Sequence, residues 1–370
     1  MKFCSNCFND TEIKNIINSI NNTDVCDIHN VKSEHIYDTD KHDNLVPYFE
    51  ALVDVYAVAS ESQIEIDKAK YVRLKYDLLY NWKIFNDVCK PENVHNIVKS
   101  ICKEKYEESP SLFDNDIVIE ELFDLEYKKE YSILKTYSWD DFKTSLIKNN
   151  RYHTNIFNKK LFEQYCWAAP KFYSAGTKFY RGRISDKNGY SLEDMGCPPL
   201  KNSKAGRVNA EGVECLYLAN NIETTINEVR AGVADYVTIA TFELQKDIII
   251  ADLKNINKIS PFSIPDANFL VNYAINKEHL SKINEEMSKV VRLSDTKLDY
   301  VPTQYICDFI KTLERDGSTN EVVRFAGVEY DSTLSSNGYN IAIFDPTLFK
   351  ATNIEIRQIN SLKYESTKIM

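Results

Sequence analysis

The placement of glycine constrains this chain more than any other feature of its sequence. All ten glycines lie between Gly176 and Gly338, and residues 1–170 contain none. Glycine supplies the backbone conformations that tight turns and close backbone approaches require, whereas helix interiors disfavour it. We therefore predict two regions of different architecture, a mainly helical one before about residue 170 and an α+β one after it.

Hydrophobic periodicity supports this division. Thr11–Asn21 and Trp139–Asn149 have the pattern of helices, and Ser138 with Asp141 makes an imperfect capping box at the start of the second. After residue 170, short apolar strands alternate with helices. The predicted strands are Lys178–Ile184, Cys215–Leu218, Tyr236–Leu244, Asp247–Asp252, Val322–Tyr330 and Tyr339–Phe344, and the predicted helices are Ile222–Ala231, Asp266–Asn276, Glu278–Val291 and Thr303–Leu313.

The composition is that of a globular protein with two domains. Of its 370 residues, 43% are hydrophobic and 27% are charged. The formal net charge of −10 argues against nucleic acid as a partner. No apolar stretch is long enough to span a bilayer, and the N-terminus lacks the apolar segment of a signal peptide. We therefore expect a cytoplasmic protein without membrane contact, and nine scattered cysteines fit a reducing compartment.

Four segments are expected along the chain. Residues 1–43 are polar and contain a cysteine and histidine pattern, and residues 44–168 form the helical domain. Residues 169–350 form the α+β domain, and residues 351–370 are a peripheral tail.

Two pairs of residues near the N-terminus have the spacing of a structural zinc site. Cys4-x-x-Cys7 and Cys26-x-x-His29 are separated by 18 residues. Each pair can present two ligands from one tight turn, and four such ligands complete a tetrahedral zinc site without an open catalytic position. The alternative is two incidental pairs of buried or exposed residues. We predict that Cys4, Cys7, Cys26 and His29 bind one structural Zn²⁺.

Four short motifs follow one another in the C-terminal half. In order, they are Phe179-Tyr180-Arg181-Gly182-Arg183; Gly206-Arg207-Val208-Asn209-Ala210-Glu211-Gly212; Leu216-Tyr217-Leu218-Ala219 with Thr224-x-x-x-Glu228; and Gly327-Val328-Glu329-Tyr330-Asp331-Ser332 with Gly338-Tyr339-Asn340. Taken singly, each has an ordinary structural explanation. Arg181 could form a surface ion pair, Arg207 could make a loop soluble, and Glu228 could lie on a solvated helix face beside Arg230. Tyr217 could be a core residue and Ser332 a turn residue.

As an ordered set, these motifs resemble the signature of RES domains, which are named for their Arg, Glu and Ser. The resemblance covers about 170 residues and has two modest departures. Val208 stands where the family usually has an aromatic residue, and Thr224-Thr225 stands where small apolar residues are common. The resemblance implies a fold similar to that of ADP-ribosyltransferases and cleavage of NAD⁺ at the nicotinamide–ribose bond.

The roles implied by the resemblance agree with the chemistry of NAD⁺. Arg181 and Arg207 can each bind phosphate oxygens of the diphosphate with a guanidinium fork. Glu228 can stabilise the positive charge that develops on the ribose when nicotinamide leaves. Ser332 can bind the nicotinamide ribose or amide, and Tyr217 can stack on a ring while its hydroxyl stays in water. The predicted catalytic residues are Glu228, Arg181, Ser332 and Tyr217, and the predicted substrate-binding residues are Arg181, Arg207, Asn209, Tyr217, Ser332 and Asn340.

Three functions remain open at this point. The first is an NAD⁺ glycohydrolase or phosphorylase that arrests growth, as a toxin with a cognate antitoxin or as an anti-phage effector. The second is a mono-ADP-ribosyltransferase that modifies a macromolecule, and the third is a nucleotide sensor without catalysis. Some RES proteins also have a similar Cys-pair segment with a helical region named for HEPN. Arg151 and His153 are too close together for the Arg–His spacing of HEPN ribonucleases, which argues against a ribonuclease activity.

Overall fold

The chain folds into two compact units. The structure is a computed structural model that describes residues 1–62, 64–199, 201, 203–263, 266–289, 297–317, 321–335 and 337–362. One unit comprises Met1–Thr136 with Lys258–Lys277, and the other comprises Tyr137–Asn257 with Glu278–Met370. Within the described ranges, no helix has both the length and the apolar character needed to cross a membrane.

The first unit combines short helices with short strands. Its helices are α1 (Thr11–Asn18), α2 (Val46–Val53), α3 (Leu74–Tyr76), α4 (Pro91–Ile101), α5 (Lys103–Glu108), α6 (Pro110–Asp114), α7 (Leu125–Tyr131) and the earlier part of α11 (Ala267–Ser288). Its strands are β1 (Lys2–Cys4), β2 (Asp24–Val25), β3 (Lys32–Ser33), β4 (Ile36–Asp38), β5 (Ala57–Val58), β6 (Val72–Arg73) and β7 (Asp116–Val118). In the described residues the strands pair as β1–β4, β2–β3 and β5–β7–β6. The expectation of a mainly helical region did not include these small sheets.

The second unit is built on a much larger sheet. Its helices are α8 (Trp139–Thr144), α9 (Lys159–Ala168), α10 (Ile222–Val229), the later part of α11 (Ala267–Ser288) and α12 (Val301–Thr312). Its strands are β8 (Pro170–Tyr173), β9 (Lys178–Ser185), β10 (Leu216–Ala219), β11 (Tyr236–Leu244), β12 (Ile248–Asp252), β13 (Glu314–Asp316), β14 (Val322–Asp331), β15 (Tyr339–Ile343) and β16 (Phe349–Gln358). This unit therefore has the predicted α+β character.

One mixed sheet organises the second unit. In the described part of the chain the strand order is β16-β11-β9-β10-β15-β14-β12-β8, with β13 paired to β14. The β12–β14 pair is parallel, and the other pairs are antiparallel. Alternate residues of a strand point to opposite faces, so each strand can contribute to two cores. Phe179 and Leu218 pack in a cluster on one face, whereas Tyr180 and Val237 belong to a separate cluster that also contains Val229 of α10.

The structure corrects the predicted boundaries in three places. Residues 351–358 are not a peripheral tail, because they belong to β16 and pair along the length of β11. The final residues of that predicted tail, 363–370, lie outside the described ranges. Residues 137–168 are grouped with the second unit, although the predicted boundary followed them. Asp266–Asn276 and Glu278–Val291 were predicted as two helices, but Ala267–Ser288 is one continuous helix, and residues 290–291 are outside the described ranges.

Candidate functional site

Helix α10 fixes the position of the predicted acidic residue. Asn221 caps its N-terminus by accepting a hydrogen bond of 2.8 Å from the backbone N–H of Thr224. The helix closes at Arg230, whose φ of 54° is left-handed. Gly182 lets the helix lie close to β9, since a Cβ there would stand 2.8 Å from Cγ2 of Thr225. These local features place the last turn of α10 against the sheet.

Glu228 lies in that last turn and is bound by two side chains from other elements. Its Oε1 accepts a hydrogen bond of 2.6 Å from Ser332 Oγ and one of 2.8 Å from Asn340 Nδ2. Both donor residues are buried, whereas Glu228 is exposed. No donor among the described residues reaches Oε2 of Glu228. The carboxylate is therefore held by one oxygen, and its other oxygen has no hydrogen-bond donor among the described residues.

The two donors are positioned by the hairpin that joins β14 to β15. Tyr330 is directly opposite Asn340 in the antiparallel pair, and the backbone N–H of Ser332 bonds to the carbonyl of Gly338 at 2.9 Å. Gly338 is required there, because a Cβ would stand 2.1 Å from Oγ1 of Thr224 on α10. The hairpin and α10 thus pack closely enough to bring Glu228, Ser332 and Asn340 together.

Arg181 lies on β9 opposite Ala240 of β11. Its Nη1 is buried and has no hydrogen-bond partner in the part of the chain that the structure describes. Burial lowers the pKa of the Arg181 guanidinium; Cys197, which also interacts with the guanidinium, raises that pKa, and the neighbouring Arg183 lowers it. A buried charged donor without a partner costs at least about 1–3 kcal/mol, so such groups call for an explanation. A bound anion would supply the missing acceptor.

The second predicted arginine already has partners. Arg207 donates from Nη1 to the carbonyl of Glu286 at 2.8 Å and from Nη2 to the carbonyl of Lys289. These carbonyls lie at the C-terminal end of α11, where backbone acceptors lack helical partners. Two of its five N–H groups are used in this way. Arg207 is therefore oriented by the protein, and the predicted phosphate contact depends on its other donors.

Asn209, in the loop that contains Arg207, and Tyr217, on β10, bind each other. The Tyr217 hydroxyl donates to Asn209 Oδ1 at 2.6 Å and accepts from the backbone N–H of Val208 at 3.1 Å. Burial raises the pKa of the Tyr217 hydroxyl well above its ordinary value. The prediction that this hydroxyl stays in water is wrong, because it closes the loop instead. The Tyr217 side chain remains partly accessible.

The predicted site does not include Tyr330, although the fourth motif contains it. Burial raises the pKa of its phenol; nearby Arg207 lowers that pKa, and Glu228 raises it. The Tyr330 phenol is therefore close enough to Arg207 and Glu228 for their charges to affect it. Its position two residues before Ser332 in the fourth motif was the only available signal.

The second unit also contains a cavity away from these residues. It has a volume of about 790 Å³ and is bordered by Phe172, Ile249, Lys311, Arg324 and Phe325, among others. None of the predicted NAD⁺-site residues lines it. The cavity therefore gives no support to the predicted site.

The predicted metal ligands come together in the first unit. Cys7 Sγ lies 3.7 Å from Cys26 Sγ, and His29 Nδ1 lies 3.3 Å from the sulfurs of Cys4 and Cys26. All four ligand atoms are within 4.8 Å of one another, and the three cysteines are buried. Zinc bond lengths of about 2.3 Å to sulfur and 2.0–2.1 Å to nitrogen imply tetrahedral edges of roughly 3.6–3.8 Å. The four residues could thus hold one metal ion.

Comparison with known proteins identifies the family of the C-terminal half of the chain. The family model described as RES domain matches residues 164–364, which is more than half of the chain and includes every residue of the predicted NAD⁺ site. RES domains are associated in general with NAD⁺-related toxin function. No curated protein and no solved structure shows a significant match to the chain. The match begins at residue 164, so the resemblance of earlier residues to a HEPN region stays a prediction. By the extent of this match, the chain belongs to the RES domain family.

Proposed function

We propose that this protein cleaves NAD⁺ at the bond between nicotinamide and ribose. The observation that carries the proposal is the Glu228 carboxylate, which Ser332 and Asn340 hold by a single oxygen. Positive charge develops on the ribose as the bond breaks, and a preorganised carboxylate stabilises that charge. The free oxygen can at the same time accept a hydrogen bond from a ribose hydroxyl.

One carboxylate is sufficient for this reaction. The electron pair of the broken C1′–N bond returns to the pyridinium nitrogen, so nicotinamide leaves as a neutral molecule and needs no proton. Glycosidases that expel an alkoxide generally need a second carboxyl group as an acid. Water or phosphate then forms the new bond to C1′, and a water molecule loses its proton to solvent. The products are nicotinamide with ADP-ribose or with its 1-phosphate.

The arginines can bind the diphosphate of NAD⁺. Buried Nη1 of Arg181 lacks a partner among the described residues, and phosphate oxygens would provide one. Arg207 is oriented by the C-terminal carbonyls of α11, and three of its five N–H groups are not used in those two bonds. A clamp of this kind acts in the ground state and the transition state alike.

The proposal is tested by incubating the full-length protein with NAD⁺, with and without inorganic phosphate. We expect nicotinamide release with phosphate in either case, and without phosphate only if water is the acceptor; mass analysis of the second product identifies the acceptor. A macromolecule that gains ADP-ribose would favour the mono-ADP-ribosyltransferase alternative. A folded, partner-free protein that leaves NAD⁺ intact under both conditions would favour the sensor and exclude the enzyme.

Replacing Arg181 should weaken substrate binding. We expect Arg181→Ala to raise KM for NAD⁺ by about 10-fold to 100-fold, because a charged hydrogen bond contributes roughly 1.5–3 kcal/mol. The change in kcat should be smaller, since phosphate contacts do not depend on the breaking bond. Steady-state kinetics measure both constants. Arg357→Ala is the matched control, because Arg357 is exposed on β16 and bonds to Glu355. An unchanged KM in Arg181→Ala would remove Arg181 from the site.

We propose further that the cluster of Cys4, Cys7, Cys26 and His29 holds a structural zinc ion. Three thiolates with one imidazole are a donor set typical of zinc. The distances between the ligand atoms are close to those of a tetrahedral site. Four protein ligands leave no position for a substrate, so the ion would stabilise the fold rather than take part in NAD⁺ cleavage.

The biological setting that fits this chemistry is growth arrest, by a toxin or by an effector against phage. An enzyme that degrades NAD⁺ freely would harm its own cell, so a cognate antitoxin or another regulatory partner is part of the proposal. Co-purification of such a partner, with loss of nicotinamide release in the complex, would support it.

A further inference from the structure

Two residues at the N-terminal end of α12 form hydrogen bonds with the loop that contains Arg207. Gln304 is buried, and its Nε2 donates to the carbonyl of Gly206 at 2.7 Å and to the carbonyl of Asn209 at 2.9 Å. Thr303 Oγ1 donates to the carbonyl of Arg207 itself at 2.8 Å. Of the four backbone carbonyls from Gly206 to Asn209, three therefore accept hydrogen bonds from Thr303 or Gln304.

Inside the loop, the Asn209 side chain uses its hydrogen-bond donors on backbone carbonyls. Asn209 is only 3% exposed, and its Nδ2 lies 2.9–3.1 Å from the carbonyls of Lys204, Ala210 and Val213. Its Oδ1 accepts from the Tyr217 hydroxyl. An amide has two donors and one acceptor oxygen, so Asn209 has no N–H left for a ligand. A hydrogen bond donated by Asn209 to NAD⁺ would break this network.

The close packing of this loop also requires a glycine at position 206. A Cβ at this position would stand 2.5 Å from the Tyr217 hydroxyl and 2.9 Å from Asn209 Oδ1. The backbone N–H of Gly206 bonds to the carbonyl of Asn209 at 3.0 Å, which closes the turn around Arg207 and Val208. The turn is thus held by Tyr217 and Asn209 on one side and by Gln304 on the other.

We propose that Gln304 is a positioning residue for Arg207, and that Asn209 and Tyr217 support substrate binding through the loop rather than by contact with the substrate. The inference deepens the proposed function and rests on it for the role of Arg207 in binding the diphosphate. An arginine side chain is flexible, and a fixed backbone lowers the conformational entropy lost when its guanidinium meets an anion. The loop gains this fixed backbone from Gln304, which belongs to the segment Pro302-Thr303-Gln304 that also fits one branch of the family but lies outside the four motifs and the predicted site residues.

The test measures binding of ADP-ribose, which carries the diphosphate but no scissile bond. Calorimetry compares the wild-type protein with Gln304→Leu, Arg207→Ala and the double variant. We expect Gln304→Leu to weaken binding by about tenfold, as the loss of buried hydrogen bonds would. The double variant should bind no more weakly than Arg207→Ala alone, because residues that act as a unit are not additive. Gln164→Leu is the matched control, since Gln164 is exposed on α9.

Two further readouts separate positioning from general damage. Hydrogen exchange in Gln304→Leu should rise at residues 204–213 more than elsewhere in the second unit. The variant should also raise KM for NAD⁺ more than it lowers kcat. Thr303→Val serves if Gln304→Leu does not fold, because it removes only the hydroxyl and should act in the same direction more weakly.

Unchanged ADP-ribose binding in Gln304→Leu, or additive losses in the double variant, would overturn the inference. So would a wild-type protein that does not bind ADP-ribose. Nicotinamide release by the wild-type protein is measured separately. A chain that binds ADP-ribose with the expected non-additivity but releases no nicotinamide would retain the positioning role and lose the proposed activity.

Discussion

Glu228→Gln should lower kcat for nicotinamide release by about 10²–10³. Glutamine keeps the volume of the side chain, and its Oε1 can still accept from Ser332 and Asn340. The Nε2 group must then face the ligand, because the opposite orientation would point it at the donor of Asn340. The atom presented to the ribose changes from a negative acceptor to a neutral donor, whereas the position of the side chain is retained. Affinity for ADP-ribose should fall by much less than kcat, because the ground state loses only the hydrogen bond to the ribose hydroxyl, whereas the transition state also loses the stabilisation of the developing charge.

The matched control for this variant lies on the same helix. Glu223→Gln removes an exposed carboxylate from the first turn of α10 and should leave turnover unchanged. Initial rates of nicotinamide release at saturating NAD⁺ compare the two variants. Near-normal turnover in Glu228→Gln would reduce this carboxylate to a structural acceptor for two buried donors, and the catalytic proposal would lose its main support.

Cys7→Ser should reduce the zinc content from about one ion per chain to almost none. A serine hydroxyl does not replace a thiolate as a zinc ligand, and the other three ligands would be left with an open position. The free energy of metal binding contributes to folding, so unfolding of the first unit should become easier. Elemental analysis measures the zinc, and hydrogen exchange should increase mainly within Met1–Thr136.

A second buried cysteine provides the control. Cys102 is fully buried in the same hydrophobic core but lies outside the ligand cluster. Cys102→Ser should therefore destabilise the first unit without loss of metal. Full zinc occupancy in Cys7→Ser would show that the ligands have been assigned wrongly, and an ion-free wild-type protein would exclude the zinc site.

Local sequence determined many secondary-structure elements of the second unit. Tyr236–Leu244 is a strand with the bounds that its apolar pattern predicts. Ser138 and Asp141 form the capping box at the start of α8, with the Ser138 hydroxyl oxygen accepting from the Asp141 backbone N–H at 3.1 Å. Such features depend on residues within one helical turn or on the twofold alternation of a strand, so the neighbouring sequence is sufficient to predict them.

Asn276 in α11 shows why the local sequence did not predict one continuous helix. Asn276 ends one predicted helix, yet it lies inside the continuous helix Ala267–Ser288 and is fully buried. Its side chain accepts from the backbone N–H of Ile133 at 2.7 Å and donates to the carbonyl of Tyr131 at 2.7 Å. A buried amide is stable in a helix only when hydrogen bonds satisfy it, and two of the bonds to Asn276 come from distant backbone groups. Those partners are more than 140 residues away, so no local pattern reveals them.

The candidate site divides in the same way between sequence and tertiary structure. The ordered motifs alone indicated the candidate site residues, because few residue types bind phosphate or stabilise a ribose cation. Only the fold decided that Ser332 and Asn340, 104 and 112 residues from Glu228, would share one oxygen of its carboxylate. Only the fold decided that the Tyr217 hydroxyl would donate to Asn209 and that the Asn209 N–H groups would bond to backbone carbonyls such as that of Val213. Chemical identity is a property of each residue, whereas burial and hydrogen-bond pairing arise when strands and helices from distant parts of the chain pack together.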